Sequence, residues 1–161
     1  MSTHSSSPGA MNSESSVDGV RVLELVGQDS GIAAAFAGWQ LAGLGAKVSE
    51  LVSDASRGTR DTSPVALALE VLSNGKSQQY CPTHAREQHT MLAQVDVLLS
   101  DSPAELEAVF GPLEALRTTH PELIIGIATP FGLTGPYAGS PASALDAQAV
   151  SATAWVLGEP Q

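Results

Sequence analysis

Short β-branched and leucine-rich runs alternate with alanine-rich, nearly uncharged runs along most of this chain, and that alternation leaves few folds open. Val20–Val26 (VRVLELV) reads as a strand. Ile32–Leu44 (IAAAFAGWQLAGL) is apolar almost all round, the pattern of a buried helix, and Gly43 and Gly45 end it. Lys47–Val52 alternates apolar and polar residues as a second strand. A strand–helix–strand unit of this kind makes two parallel strands with a right-handed crossover. The same rhythm continues. Helices are predicted at Val65–Leu72, Thr83–Leu92 (capped by Thr83), Pro103–Phe110 and Pro112–Thr118. Strands are predicted at Gln78–Cys81, Val95–Ser100 and Leu123–Thr129, the last as a strong buried strand. A Gly/Pro loop spans Phe131–Pro141, and a single alanine-rich helix is expected over Ala142–Leu157, ended by Gly158. The fold class is therefore α/β, a parallel sheet flanked by helices.

Length and charge narrow the function. The 161 residues suffice for one domain with a real core. Residues 1–17, rich in serine, are expected to form a disordered tail, leaving 18–161 as the domain. Seven Lys+Arg against 17 Asp+Glu give a net charge of -10. Such acidity speaks against a nucleic-acid surface and against an anionic membrane face. No run reaches the roughly 18 apolar residues of a membrane span. One cysteine, Cys81, excludes an internal disulfide and suits a reducing compartment, so a cytoplasmic protein is expected. With so few cations, any phosphate-bearing ligand must be held mostly by backbone NH groups.

Several residues invite chemistry. The first strand–turn–helix carries Gly27-Gln-Asp-Ser-Gly31, which is not a dinucleotide fingerprint; Asp29 or Ser30 reads better as a helix cap. Cys81, His84 and His89 resemble a metal cluster, but the two histidines would lie about 140° apart on a helix and a fourth ligand is missing. No metal is expected, and Cys81 reads as an inert, partly buried thiol. His120 falls at a helix–strand corner as a surface residue. Asp146, one turn after Ser143, reads as a solvent-facing helix residue, and Trp39 and Trp155 as core. Phe131-Gly-Leu-Thr-Gly-Pro-Tyr-Ala138 follows the strongest strand, where loops of a parallel sheet form the ligand face. Gly132 and Gly135 would let backbone approach a ligand closely, and a purely structural turn explains them equally well.

That loop, with the strand before it (Pro121–Ala138), resembles family III CoA-transferases, the group of formyl-CoA and carnitine CoA-transferases and α-methylacyl-CoA racemases. Four more pieces agree in order and spacing: Val20-Arg-Val-Leu-Glu-Leu, Leu41-Ala-Gly-Leu-Gly-Ala-Lys-Val, Val95-Asp-Val-Leu-Leu, and Ala147-Gln-Ala-Val-Ser with Gly158-Glu-Pro. The resemblance covers residues 19–160. It implies a Rossmann-like domain that is only the amino-terminal part of a larger, interlocked dimeric enzyme moving CoA between carboxylic acids. Coenzyme A or acyl-CoA is then the substrate, not a covalently held cofactor, and the partner is a second copy or a related subunit.

The resemblance also implies losses. Aligning Pro141–Ala149 with the family pattern "PGYDLVAQA" puts Ala144 at the position of the aspartate that attacks the thioester. Asp146 stands two residues on, about 200° round a helix, and is a poor substitute. Of the family's basic run only Lys76 remains, and the segment at Ser100–Ala104 lacks the family's Asn and Arg. Arg57, Arg60 and Lys76 are left as expected contacts to the nucleotide phosphates, with Gly132 and Gly135 for the backbone. The isolated chain is expected to be catalytically inactive.

Overall fold

The computed structural model describes residues 17–25, 32–52 and 63–156. Its five strands are β1 (Arg21–Leu25), β2 (Lys47–Val52), β3 (Ser77–Tyr80), β4 (Val97–Ser100) and β5 (Ile124–Ile127). They form one parallel sheet in the order β3-β2-β1-β4-β5. Helices α1 (Ala33–Gly43) and α2 (Pro64–Leu72) connect β1 to β2 and β2 to β3. Both crossovers run the same way along the sheet, so right-handedness places both helices on one face. Helices α3 (Ala85–Leu92), α4 (Pro103–Phe110) and α5 (Leu113–Thr119) contribute to the core on the other face, and α6 (Ala144–Val150) and α7 (Thr153–Val156) end the described chain.

Strand alternation assigns the two faces. Leu23 and Leu25 of β1, Leu51 of β2 and Leu98 of β4 share one side, as their register requires, and pack with Leu92, Leu106, Phe110 and Leu116 of α3–α5. The side toward α1 holds Val22, Ala46 and Val48, with Val17 packed against them. Glu24 belongs to that side too, opposite Glu50, and is completely buried.

Local chemistry explains most helix ends. Ser63 and Ser102 cap α2 and α4 by accepting from the backbone NH of Ala66 and Glu105, and Pro64 and Pro103 open the two helices. Gly111, at φ 87°, turns the chain after α4.

Four expectations need correction. Helix α3 begins at Ala85, with His84 and not Thr83 at its cap position and no capping side chain; the Gln88 amide instead donates to Pro82 O at 2.9 Å. The single helix expected over 142–157 is broken, because Ala152 adopts φ 61° and separates α6 from α7. Strand β5 is not deeply buried: among the described strands only β4 pairs with it, and Ile124 is 65% exposed. Trp39 is no core residue either, at 41% exposed on the outer side of α1. Asp29 and Ser30 lie outside the described residues, as do Arg57, Arg60 and most of the expected tail. No described helix is long and apolar enough to cross a membrane.

Candidate functional site

In an open parallel sheet the ligand crevice lies beyond the carboxyl ends of the strands, where the strand order changes direction. Here that point falls between β1 and β4. Helix α1 brings its unpaired backbone NH groups to it, an arrangement that suits an anion. The chain supplies its own. Asp101, directly after β4, accepts from Ala34 N through Oδ1 at 2.8 Å. Burial pushes the Asp101 carboxyl above the usual carboxylate range, while the NH groups of Ala34 and Ala33 pull it back. Its Oδ2 is buried with no hydrogen-bond partner among the described residues. A cap reaching across 67 positions leaves no local sequence signal, and sequence reasoning missed it.

Lys76 is also placed differently from expectation. Its ammonium is fully buried between β1, β2 and α1. It donates to Glu24 Oε1 and Oε2 at 3.0 and 2.7 Å and to Ala35 O at 2.9 Å, with Glu50 Oε1 at 3.5 Å. Lys76 is thus an internal counter-ion, and its donors are not turned toward a solvent-borne phosphate. Burial pushes the Glu24 carboxyl up to about 7, against the pull of Lys76.

This gives a pH prediction. A carboxyl whose native pKa is raised stabilises the fold below its unfolded value of 4.5, and the contribution is lost as pH rises through about 7. Asp101 acts in the same sense. Asp96, held down to about 2 by Arg21, changes only in strong acid, and His120, which burial and the neighbouring His89 hold below its ordinary value, opposes the two carboxyls within the window without a charge as deeply buried as Glu24. The unfolding free energy from urea denaturation should therefore fall between pH 5 and pH 8, by on the order of 1–3 kcal/mol. A flat or rising profile that Glu24→Gln leaves unchanged would contradict the buried carboxyl.

The loop after β5 keeps its expected position at the carboxyl edge. Gly132 and Gly135 adopt φ 81° and 104°, backbone that side-chain-bearing residues seldom adopt, and a Cβ on either would meet open space. Phe131 and Tyr137 lie with ring centroids 5.8 Å apart, and Tyr137 is 65% exposed. Helix α6 follows, with Ala144 as its first residue. Asp146 is exposed, as expected, but its carboxylate is engaged by its own helix end. Its Oδ2 accepts from Ser143 N at 2.8 Å and Ser143 Oγ at 2.7 Å, closing a capping box that holds its carboxyl below the usual range.

The remaining candidates scatter. Cys81 is half-buried, and burial raises its thiol pKa. His84 occupies the cap position of α3 without a side-chain cap bond, while His89 Nδ1 and His120 Nε2 meet at 3.0 Å between the end of α3 and the end of α5. That pairing was missed because 31 positions separate the two rings. No group of three or more His, Cys, Asp or Glu able to hold a metal occurs among the described residues.

Comparison with known proteins agrees with this fold. The family model described as CoA-transferase family III matches residues 17–161. A CAIB/BAIF family protein from Brucella suis superposes with a TM-score of 0.72 at 27% identity, over 89% of this chain and 41% of that one. A hypothetical protein from Mycobacterium tuberculosis gives 0.68 at 27% identity, over 90% and 42%. The chain thus spans about two fifths of the length of these solved structures. No curated protein matches it.

Proposed function

The chain belongs to CoA-transferase family III, and on that premise we propose that it binds CoA or acyl-CoA at the carboxyl edge of its sheet without turning the thioester over by itself. The observation that carries this reading is the loop Phe131–Ala138. It follows β5 at the ligand edge, with left-handed backbone at Gly132 and Gly135 and an exposed Tyr137. Loop backbone then does most of the binding in a chain with few cations. Arg57 and Arg60 are the proposed phosphate contacts; Lys76 is not, because Glu24 already holds it. The α1 N-terminus is not the phosphate site either, because Asp101 fills it. The single thiol suits action in the cytoplasm.

Absence of turnover is the second half of the proposal. Asp146 is engaged by Ser143, and Ala144 has no nucleophilic group. A CoA-binding subunit or segment that completes its active site with other protein fits these facts. Calorimetric titration with CoA should give saturable heat, weakened about tenfold by Gly135→Val, which forces a branched side chain onto φ 104°. No heat at millimolar CoA would reject the binding reading. Acyl exchange catalysed by the isolated chain would reject the inactive one.

A further inference from the structure

We propose that His89 and His120 form a proton-sensitive tether between the end of α3 and the corner where the chain turns from α5 into β5. The two rings meet at 3.0 Å, His89 Nδ1 to His120 Nε2, a distance that places one proton between them. Their centroids stand 5.3 Å apart and their planes are 17° from parallel. At that nitrogen separation the centroids could hardly stand farther apart, so the two nitrogens point at each other nearly along one line. The tether acts on a defined piece of backbone. His120 N donates to Leu116 O as α5 ends, and Leu123 N donates to His120 O just before β5 begins.

A neutral pair holds one proton in the gap, on one ring or the other, and the surroundings put it on His89. His89 is exposed in the last turn of α3, where the free carbonyls of the helix favour a positive ring. His120 is half-buried, and burial together with His89 holds it below its ordinary value. His89 Nδ1–H therefore donates and His120 Nε2 accepts. As pH falls, a first proton enters at His89 Nε2, which leaves the bond in place and makes it charge-assisted. The second can enter only at His120 Nε2. It takes the lone pair that held the bond and sets two like charges side by side, so the tether opens at this step. Neighbouring charges leave that order unchanged. On α3 the nearest in sequence are Arg86 and Glu87, and Glu122 follows the corner. Glu107 of α4 accepts from Leu113 N, Glu114 of α5 holds Arg117 at 3.4 Å, and Asp96 before β4 holds Arg21. Among the described charges only His89 bears on His120.

The test is the nitrogen-15 spectrum of the histidine rings in the whole 161-residue chain, followed from pH 8 to pH 4. At pH 8 His89 should carry its proton on Nδ1 and His120 should show a bare Nε2, and His89 should titrate before His120. His89→Ala removes both the donor and the like charge, and should raise the His120 midpoint by about half a pH unit or more. As His120 takes its proton, the hydrogen-exchange protection of the Leu123 amide, corrected for the intrinsic effect of pH, should fall several-fold. His89→Ala should hold it at the lower level at every pH, and His84→Ala, at the exposed cap position of the same helix, should change nothing. The opposite tautomers, or a His120 that titrates before His89, overturn the proposal. So does a Leu123 amide whose protection follows pH alike with and without His89. The ring spectra need no substitution, so they decide the matter even where a variant does not fold.

Discussion

At pH 8, replacing Lys76 by methionine is expected to cost about 2–4 kcal/mol of stability, falling to about 1 kcal/mol or less at pH 5.5. The substitution keeps the stem of the side chain and removes the one cation among the described residues that pairs with Glu24. Two carboxylates, Glu24 and Glu50, then face each other across neighbouring strands without the ammonium between them. Above neutral pH the fold must either bury an unpaired anion or take up a proton, and each unit of pH raises the cost of the proton by about 1.4 kcal/mol. In mild acid Glu24 is already protonated, because burial has lifted it to about 7, so little remains to be lost. What persists there is the donor to Ala35 O. Adding Glu24→Gln to the methionine variant should recover most of the loss at pH 8. Urea denaturation of the unsubstituted chain, the Lys76→Met variant and the double variant at the two pH values measures this. An equal loss at both values would mean that Lys76 acts by packing alone.

The same cluster shows what the sequence could and could not disclose. The sheet was legible because strand and helix periods are local: VRVLELV and KVSELV fall within a residue or two of β1 and β2. The roles of charged residues were not, because they depend on register. Lys76 lies 52 positions from Glu24, and only the pairing of β1 with β2 and β2 with β3 brings them together. A basic residue after a helix reads as a phosphate contact until the fold shows a carboxylate already on it. Asp101 repeats the lesson. As one acid in a polar turn it looks like ordinary surface, and topology makes it the cap of a helix 67 positions away. Asp146 is the converse: Ser143 three residues earlier was in view, and the capping-box pattern could have been read from the sequence. The exposure of Trp39 escaped because an all-apolar helix signals burial without saying whether its own domain or another chain provides it.

Among the described glycines, Gly38→Ala should be the most damaging alanine substitution, costing about 3 kcal/mol or more. In most helices the same change is favourable by about 1 kcal/mol, because alanine is the better helix former. Position 38 reverses the sign through its neighbours. A Cβ there would overlap Glu24 Oε2 and lie 3.1 Å from Glu24 Cδ and 3.4 Å from Lys76 Nζ. None of these atoms can retreat: Glu24 is completely buried on β1 and tied to Lys76, which is tied in turn to the backbone of α1 at Ala35. Either α1 lifts off the sheet or the ion pair is pulled apart. Gly43, five residues on in the same helix, has nothing within 4 Å of its missing Cβ, so Gly43→Ala should be neutral or stabilising by up to about 1 kcal/mol. Thermal and urea unfolding of the two variants therefore separate propensity from packing within one helix. Equal effects at positions 38 and 43 would mean that α1 does not rest on the Glu24–Lys76 pair. A collapse confined to position 38, relieved when Glu24 is shortened to alanine together with Lys76→Met, would establish that the buried ion pair fixes how closely the first helix approaches the sheet.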